Sequence, residues 1–292
     1  MNNVKIRIGT SGRNLALWHV EYAKAELERK GVMTELVSIK TQDDETLLPG
    51  TKGHNQAEIK ALEAALLRGE VDVAVYSMPD LPTTQTEGLV ITAVSYRDDP
   101  ADVLVLHRSA FTAGEIFKVK KGGKVGCSTR ERAAQLIDYR PDIACMEVED
   151  DILANLDKLR SGHFDALFLT AADLLRRSID LSAFETVFLN TREFVPSPTQ
   201  GVTAWQCNSD DLTTRRILRQ IHHPEVSACT NIERRVKQLM GEELPLGVYC
   251  ARDTNGNFHT FAACAINGEM RRAHISSSTS FGVAEKVVKA LG

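Results

Sequence analysis

The sequence predicts two α/β domains with largely parallel sheets, followed by a small α+β domain. Three observations predict it. The 292 residues correspond to roughly two domains at about 150 residues each, with three small ones also accommodated. From Val4 to Arg177 short apolar strands alternate with helical patterns, as parallel-sheet folds require. After Ser227 the pattern changes to a helix, three strands joined by Asn-Gly turns, and a final helix.

The elements follow in order. Val4–Ile8 alternates like a strand, Gly9-Thr10-Ser11-Gly12 turns, and Leu15–Lys30 carries apolar residues at helical spacing up to a stop at Gly31. Thr34–Ile39 is a strand, Thr41–Asn55 a polar stretch expected to be mobile, and Ala57–Leu67 a helix. Val71–Tyr76 is a buried strand running into Ser77-Met78-Pro79-Asp80-Leu81-Pro82. A second unit repeats the pattern: strands at Ala101–Leu106, Lys124–Thr129, Ile143–Val148 and Phe164–Leu169, and helices at Arg130–Tyr139, Asp150–Ser161 (Asp151 capping) and Ala171–Arg177. Val187–Cys207 reads as extended, and a polar helix, Asp210–Ile221, ends at His222-His223-Pro224. The tail gives helix Ser227–Met240, strands Leu246–Ala251, Phe258–Ile266 and Glu269–Ser276, and helix Phe281–Leu291. Ligands of such sheets sit at the carboxyl ends of strands, which directs attention to residues 9–13 and 76–82.

Composition removes several classes of function. At 43% apolar and 25% charged residues the chain is globular. No apolar run reaches the roughly 18 residues of a membrane span, and the start lacks the apolar stretch of a secretory signal, so a cytoplasmic protein is expected. With 35 basic against 39 acidic residues, no nucleic-acid partner is expected. Cys127, Cys145, Cys207, Cys229, Cys250 and Cys264 form no CxxC pair and read as reduced thiols that pack as small apolar groups, with no metal site. His222-His223 reads as a helix end rather than a ligand pair, and Lys118–Lys124 as a solvated turn. The Gly9–Gly12 turn can hold an anion on backbone N–H groups but lacks the pattern of a dinucleotide site.

Nearly the whole chain resembles the porphobilinogen deaminase (hydroxymethylbilane synthase) family. The anchors are Ile8-Gly9-Thr10 with Leu15-Ala16-Leu17-Trp18, Lys60–Leu67, Asp72–Met78 with Asp80-Leu81-Pro82, and Arg97–Asp102. Further on come Val125-Gly126-Cys127-Ser128, Arg140-Pro141-Asp142, Gln200-Gly201 and Leu244-Pro245-Leu246-Gly247. The resemblance implies two doubly wound α/β domains, 1–97 with 190–216 and 98–189, with a ligand cleft between them as in two-lobed binding proteins. It implies a third, α+β domain at 217–292. It also implies tetrapyrrole (haem) biosynthesis: a transferase that condenses porphobilinogen units with loss of ammonia on a dipyrromethane cofactor held by a cysteine. One aspartate stabilises the cationic pyrrole, and arginines hold the acetate and propionate groups.

Carried over by residue, Asp80 matches the catalytic aspartate, where a fixed carboxylate stabilises the cation. An Asp before Leu-Pro also simply shapes a turn. Ser11, Arg13, Ser77, Ser128, Thr129, Arg132, Arg176 and Gln200 are the expected ligand-binding set. The departures are as informative. The family's Lys before the aspartate is Pro79. In the stretch Met240-Gly241-Glu242-Glu243-Leu244-Pro245, Glu242 stands where the family has the cofactor cysteine, so no cofactor is expected. Glu131 replaces one arginine, and Glu149–Asn155 lacks two more. A charge-assisted bidentate contact is worth roughly 1.5–3 kcal/mol. Three losses, with acids set near the vacated positions, should cost a polycarboxylate ligand more than about 5 kcal/mol, or over about a thousandfold in affinity.

The resulting expectation is a pseudoenzyme-like family member that binds a small anionic or pyrrole-like ligand, with no membrane partner and no assigned oligomeric state. Two alternatives stand beside it: an active hydroxymethylbilane synthase with a non-standard anchor, and a different enzyme whose acidic patch, Glu147, Glu149, Asp150 and Asp151, faces a cationic substrate.

Overall fold

The computed structural model describes residues 5–10, 14–39, 54–148 and 151–292, with side chains left aside at 14–17, 54 and 55. Two compact units are present, 1–97 with 202–227 and 98–201 with 228–292.

In chain order the first unit opens with β1 (Lys5–Thr10), α1 (Asn14–Arg29), β2 (Met33–Ser38), α2 (His54–Leu67), β3 (Val73–Ser77) and β4 (Leu89–Val94). The second continues with β5 (Asp102–Leu106), β6 (Lys124–Cys127), α3 (Arg130–Tyr139), β7 (Ala144–Glu147), α4 (Ile152–Arg160), β8 (Ala166–Thr170), α5 (Ala171–Arg177) and β9 (Glu185–Phe188). The chain then re-enters the first unit as β10 (Thr203–Asn208) and α6 (Leu212–Leu218). It finishes with α7 (Pro224–Met240), β11 (Leu246–Arg252), β12 (Phe258–Ile266), β13 (Glu269–Ser277) and α8 (Val283–Leu291).

The first sheet has the order β2-β1-β3-β10-β4. Its inner strands β3 and β10 are buried on both faces, which is why β3 reads as a nearly continuous apolar run. Val73 and Val75 pack with Val20, Ala23 and Leu27 of α1 on one face. Ala74 and Tyr76 pack with Ile59, Leu62 and Leu66 of α2 on the other. The second sheet, β7-β6-β8-β5-β9, is built likewise. Val103 and Val105 face Leu156 and Leu159 of α4, whereas Leu104 and Leu106 face Leu136 of α3.

Both sheets are mixed, where largely parallel ones were expected. β10 runs antiparallel to β3 and β4, and β5 antiparallel to β8 and β9. A strand that returns from another part of the chain needs no right-handed crossover, so nothing in its own residues betrays its direction. β4 and β9 were not expected as separate strands. The helix expected from Ser227 begins at Pro224, where proline suits a first turn. His222 and His223 therefore precede a helix as well as following one. His222 Nδ1 accepts from the Val94 N–H at 3.3 Å, and the His223 N–H donates to the Val94 carbonyl at 3.1 Å, so the pair secures β4.

The C-terminal sheet β11-β12-β13 is antiparallel throughout. Its inner face, with Val248, Cys250, Ala262 and Cys264, packs on Ile232 and Val236 of α7 and on Val283 and Val287 of α8. Asn267 and Gly268 both have positive φ (52° and 83°), as a tight hairpin turn requires. Glu233 of α7 is fully buried, and its carboxylate accepts from the Thr199 N–H at 2.6 Å and the Cys250 N–H at 2.8 Å.

Candidate functional site

In the second unit, β6 ends at Cys127 and the chain turns into α3 through Ser128 and Thr129. Thr129 caps the helix, its side chain accepting from the Arg132 N–H at 3.4 Å. One turn on, the Arg132 side chain points back beneath the turn into a buried cluster. Its Nε and Nη2 donate to Asp102 Oδ1 at 3.1 and 2.8 Å, Nη1 donates to Ser128 Oγ at 2.6 Å, and Nη2 reaches Gln200 Oε1 at 3.3 Å. Gln200 Nε2 completes the ring, donating to Asp102 Oδ1 and to the Pro100 carbonyl, both at 2.8 Å. Arg132 is 5% and Asp102 1% exposed. Burial works against the guanidinium charge, but Asp102 outweighs it, and Arg132 stays above its ordinary pKa.

Arg176, on α5, is buried as well. Its Nε donates to Asp98 Oδ2 at 2.8 Å and Nη2 to the Gly201 carbonyl at 3.0 Å. Gly201 has φ +82°, and a Cβ there would lie 2.6 Å from the Asp98 carbonyl oxygen, so only glycine lets this turn close on the Asp98 backbone.

Three expected site residues, Ser128, Arg132 and Gln200, are thus linked in one cluster with the Asp102 carboxylate, Thr129 caps the adjoining helix, and Arg176 meets a second carboxylate, Asp98. Asp98 and Asp102 are the residues that motif reading missed. A signal was present: an acid opening a strand buried on both faces demands a cationic partner. Ser128 is exposed. It accepts from Arg132, and its own O–H has no acceptor among the described residues.

In the first unit, Ser77 ends β3 and Asp80 closes the short 3₁₀ turn Met78–Asp80. Asp80 is exposed at the carboxyl end of its strand. The expected residues Ser11 and Arg13 lie outside the described residues, as do Glu149 and Asp150 of the acidic patch and the polar stretch 41–53. Asp151 is committed to capping α4, accepting from the Leu153 and Ala154 N–H groups.

At the replaced positions, Glu131 accepts a hydrogen bond from the Ser197 hydroxyl, and Asn155 is buried. Glu242 follows the end of α7, its carboxylate 3.1 Å from the Lys237 ammonium. Five of the six cysteines are buried and Cys145 is half-buried; all are free thiols. Cys127 lies 3.7 Å from Cys145, its thiol pushed up by this contact and by burial while that of Cys145 is pulled down. Burial also pushes up the Cys207 and Cys264 thiols. Two lysines of the turn are paired with neighbouring segments: Lys120 meets Asp165 at 2.7 Å and Lys118 donates to the Ala113 carbonyl. Among the described residues no group of three or more His, Cys, Asp or Glu could hold a metal, and no helix is long and apolar enough to cross a membrane.

Comparison with known proteins places this arrangement. The family model described as porphobilinogen deaminase, dipyromethane cofactor binding domain, matches residues 6–216, a span that ends before Glu242. A porphobilinogen deaminase of Trichlorobacter lovleyi is 34% identical over 234 residues, 79% of this chain and 73% of that protein. One of Chloroherpeton thalassium is 33% identical over 258 residues, 86% of this chain and 80% of that protein. Among solved structures, a probable amino-acid ABC transporter extracellular-binding protein of Bacillus subtilis aligns with a TM-score of 0.47 at 13% identity, covering 82% of this chain and 99% of that one, a likeness too loose to bear on function. With a family model spanning most of the chain and relatives at this level of identity, the chain belongs to the porphobilinogen deaminase family.

Proposed function

We propose that this family member carries no dipyrromethane, does not polymerise porphobilinogen, and binds a small anionic or pyrrole-like ligand in the cytoplasm. The observation that carries the reading is the Glu242–Lys237 ion pair at the position where the family joins its cofactor to a cysteine. A thioether needs a thiolate there. A carboxylate engaged by an ammonium is a poor nucleophile, and its ester would be labile. The residues present therefore do not fit the cofactor. Five of the six cysteines are buried, and Cys127, Cys207, Cys250 and Cys264 are held as neutral thiols by burial or by a neighbouring sulfur; Cys145, half-buried with its thiol pulled down, does not stand at the family's anchor position.

The arginine inventory supports the same reading. Arg132 and Arg176 each already face an aspartate, so a ligand carboxylate would compete with Asp102 or Asp98 for them. What a small anion would meet at the end of β6 is the exposed Ser128 hydroxyl, free to donate because its lone pair already takes the Arg132 N–H. Asp80, exposed at the end of β3, is the carboxylate that a pyrrole N–H or a cationic group would meet there.

The test is intact mass of protein purified from a host that makes porphobilinogen, and again after incubation with porphobilinogen. A bare polypeptide mass in both samples is expected. An adduct of pyrrole units, mapped to Glu242 or to a cysteine, or saturable porphobilinogen consumption abolished by Asp80→Ala, would overturn the proposal.

A further inference from the structure

The outer face of the C-terminal sheet is not fully covered. Phe261 on β12 and His274 on β13 are register partners, and their rings stack in parallel with centroids 4.2 Å apart and planes 7° from coplanar. This pair floors a hollow of about 300 Å³, walled by Val195, Arg192 and Arg272. All five residues belong to the second unit.

The two arginines are not equivalent. Arg272 is spoken for: Nη2 donates to Asp138 at 2.8 Å, Nη1 to the Glu193 carbonyl at 3.2 Å, and its guanidinium lies 4.7 Å from the Tyr139 ring centroid. It is a fixed wall whose charge Asp138 balances. Arg192 is exposed and pairs with no carboxylate among the described residues; its guanidinium carbon lies 5.6 Å from the Phe261 ring centroid. A guanidinium held against an aromatic face is oriented by that contact and keeps its N–H edge for a partner.

We propose that this hollow binds a small planar anion, of the class of aromatic or heteroaromatic monocarboxylates. With the faces of Phe261 taken by His274 and Arg192, the ring pair offers aromatic edges, which favour edge-to-face contact with the π face of a planar aromatic body. Arg192 offers the two-pronged donor that a carboxylate fits. A volume of about 300 Å³ lies at the small end of ligand sites, enough for one ring and its carboxylate. A compact polyanion fits less well, because one uncommitted guanidinium faces it and the remaining walls are apolar or already neutralised. None of the residues proposed above for the anionic or pyrrole-like ligand takes part, so the two proposals stand or fall separately.

The experiment titrates the full chain with benzoate, cyclohexanecarboxylate and benzamide, following backbone amide resonances. Saturable benzoate shifts confined to β12, β13 and residues 190–195 are expected, with cyclohexanecarboxylate (same charge, no plane) and benzamide (same plane, no charge) each at least about tenfold weaker. Arg192→Ala should weaken benzoate at least about tenfold, the loss of one charge-assisted contact. His274→Ala, an exposed position, should weaken it while leaving the amide spectrum of the remaining sheet unchanged. No shift in β12 and β13 at saturating benzoate, equal shifts with cyclohexanecarboxylate, or benzoate binding unaltered by Arg192→Ala would each overturn the proposal.

Discussion

Asp102→Ala is the perturbation whose magnitude the structure defines most directly. Asp102 is 1% exposed, and its Oδ1 takes two hydrogen bonds from Arg132 and one from Gln200. Its removal leaves a guanidinium, itself 5% exposed, with only the neutral acceptors Ser128 and Gln200. Breaking a buried pair from one side typically costs about 3–5 kcal/mol, because the remaining charge stays desolvated. Urea unfolding should show the loss. With a slope of about 3 kcal/mol per molar for a chain of this size, the midpoint should fall by roughly 1–1.7 M. The probe matters: both tryptophans, Trp18 and Trp205, lie in the first unit, so far-ultraviolet circular dichroism is the appropriate signal for a lesion in the second. Arg132→Ala alone should also destabilise, and the double variant should fall short of the sum by about 1.5 kcal/mol or more, since the two side chains are in direct contact. Strict additivity, or an Asp102→Ala cost below about 1 kcal/mol, would refute the assignment of Arg132 as a charge neutralised inside the fold.

Other outcomes follow from single contacts. Glu233→Gln replaces a fully buried carboxylate that accepts two backbone N–H groups. One of them would then face an NH₂, so thermal unfolding should report a loss of about 2 kcal/mol, and an unchanged melting temperature would count against the double-acceptor role. Gly247→Ala would set a Cβ 2.3 Å from the Val195 carbonyl oxygen. The backbone must yield, with an expected cost of about 1–3 kcal/mol in the same assay. The Asp253 carboxyl is pulled down to about 2, first by His259 and then by the Asn257 N–H. Because its folded pKa is depressed, the contribution to holding the Asp253–Asn257 turn is complete above about pH 4 and lost as pH falls through about 2. A carboxyl titration by NMR with its midpoint near the ordinary value would contradict this, and His259→Ala should raise the midpoint.

What could be read from the residues depended on whether the signal was local. Helix α3 was placed at Arg130–Tyr139 and is found there, because Thr129 caps it and the apolar spacing lies within a single segment. The cap on α4 was legible at Asp151 for the same reason. β10 was not, since its antiparallel place between β3 and β4 is fixed by Trp205, Cys207 and partners more than a hundred residues away. The site divides along the same line. Ser128, Thr129 and Arg132 sit within one helical turn, so their proximity is local; Gln200 joined them through family resemblance. The aspartates that complete the cluster were quoted only as parts of an anchor, Arg97–Asp102. Pairing Asp102 with Arg132 needs the sheet, because the residues are thirty apart and meet only when β5 and β6 lie in one sheet on either side of β8. The hollow on the C-terminal sheet left no sequence signal at all: Phe261 and His274 become neighbours through hairpin register, and Arg192 arrives from a different part of the chain.

The buried pairing changes what a retained arginine means. Matched by position, Arg132 and Arg176 count as survivors of a cationic set and argue for a ligand of the same kind. Seen with their partners, they contribute no net charge: each is balanced by an aspartate at 2.8 Å, and each also braces the 200–201 turn, Arg132 through the Gln200 side chain and Arg176 through the Gly201 carbonyl. Scaffold requirements alone would keep both arginines in a protein that never binds a tetrapyrrole. The substituted positions carry no such double duty. Glu131 and Glu242 could change from the family's residues without unpairing a buried aspartate, and both now take local partners, Ser197 and Lys237. On the proposed function, replacement is expected where a residue serves only the ligand, and retention where it also serves the fold.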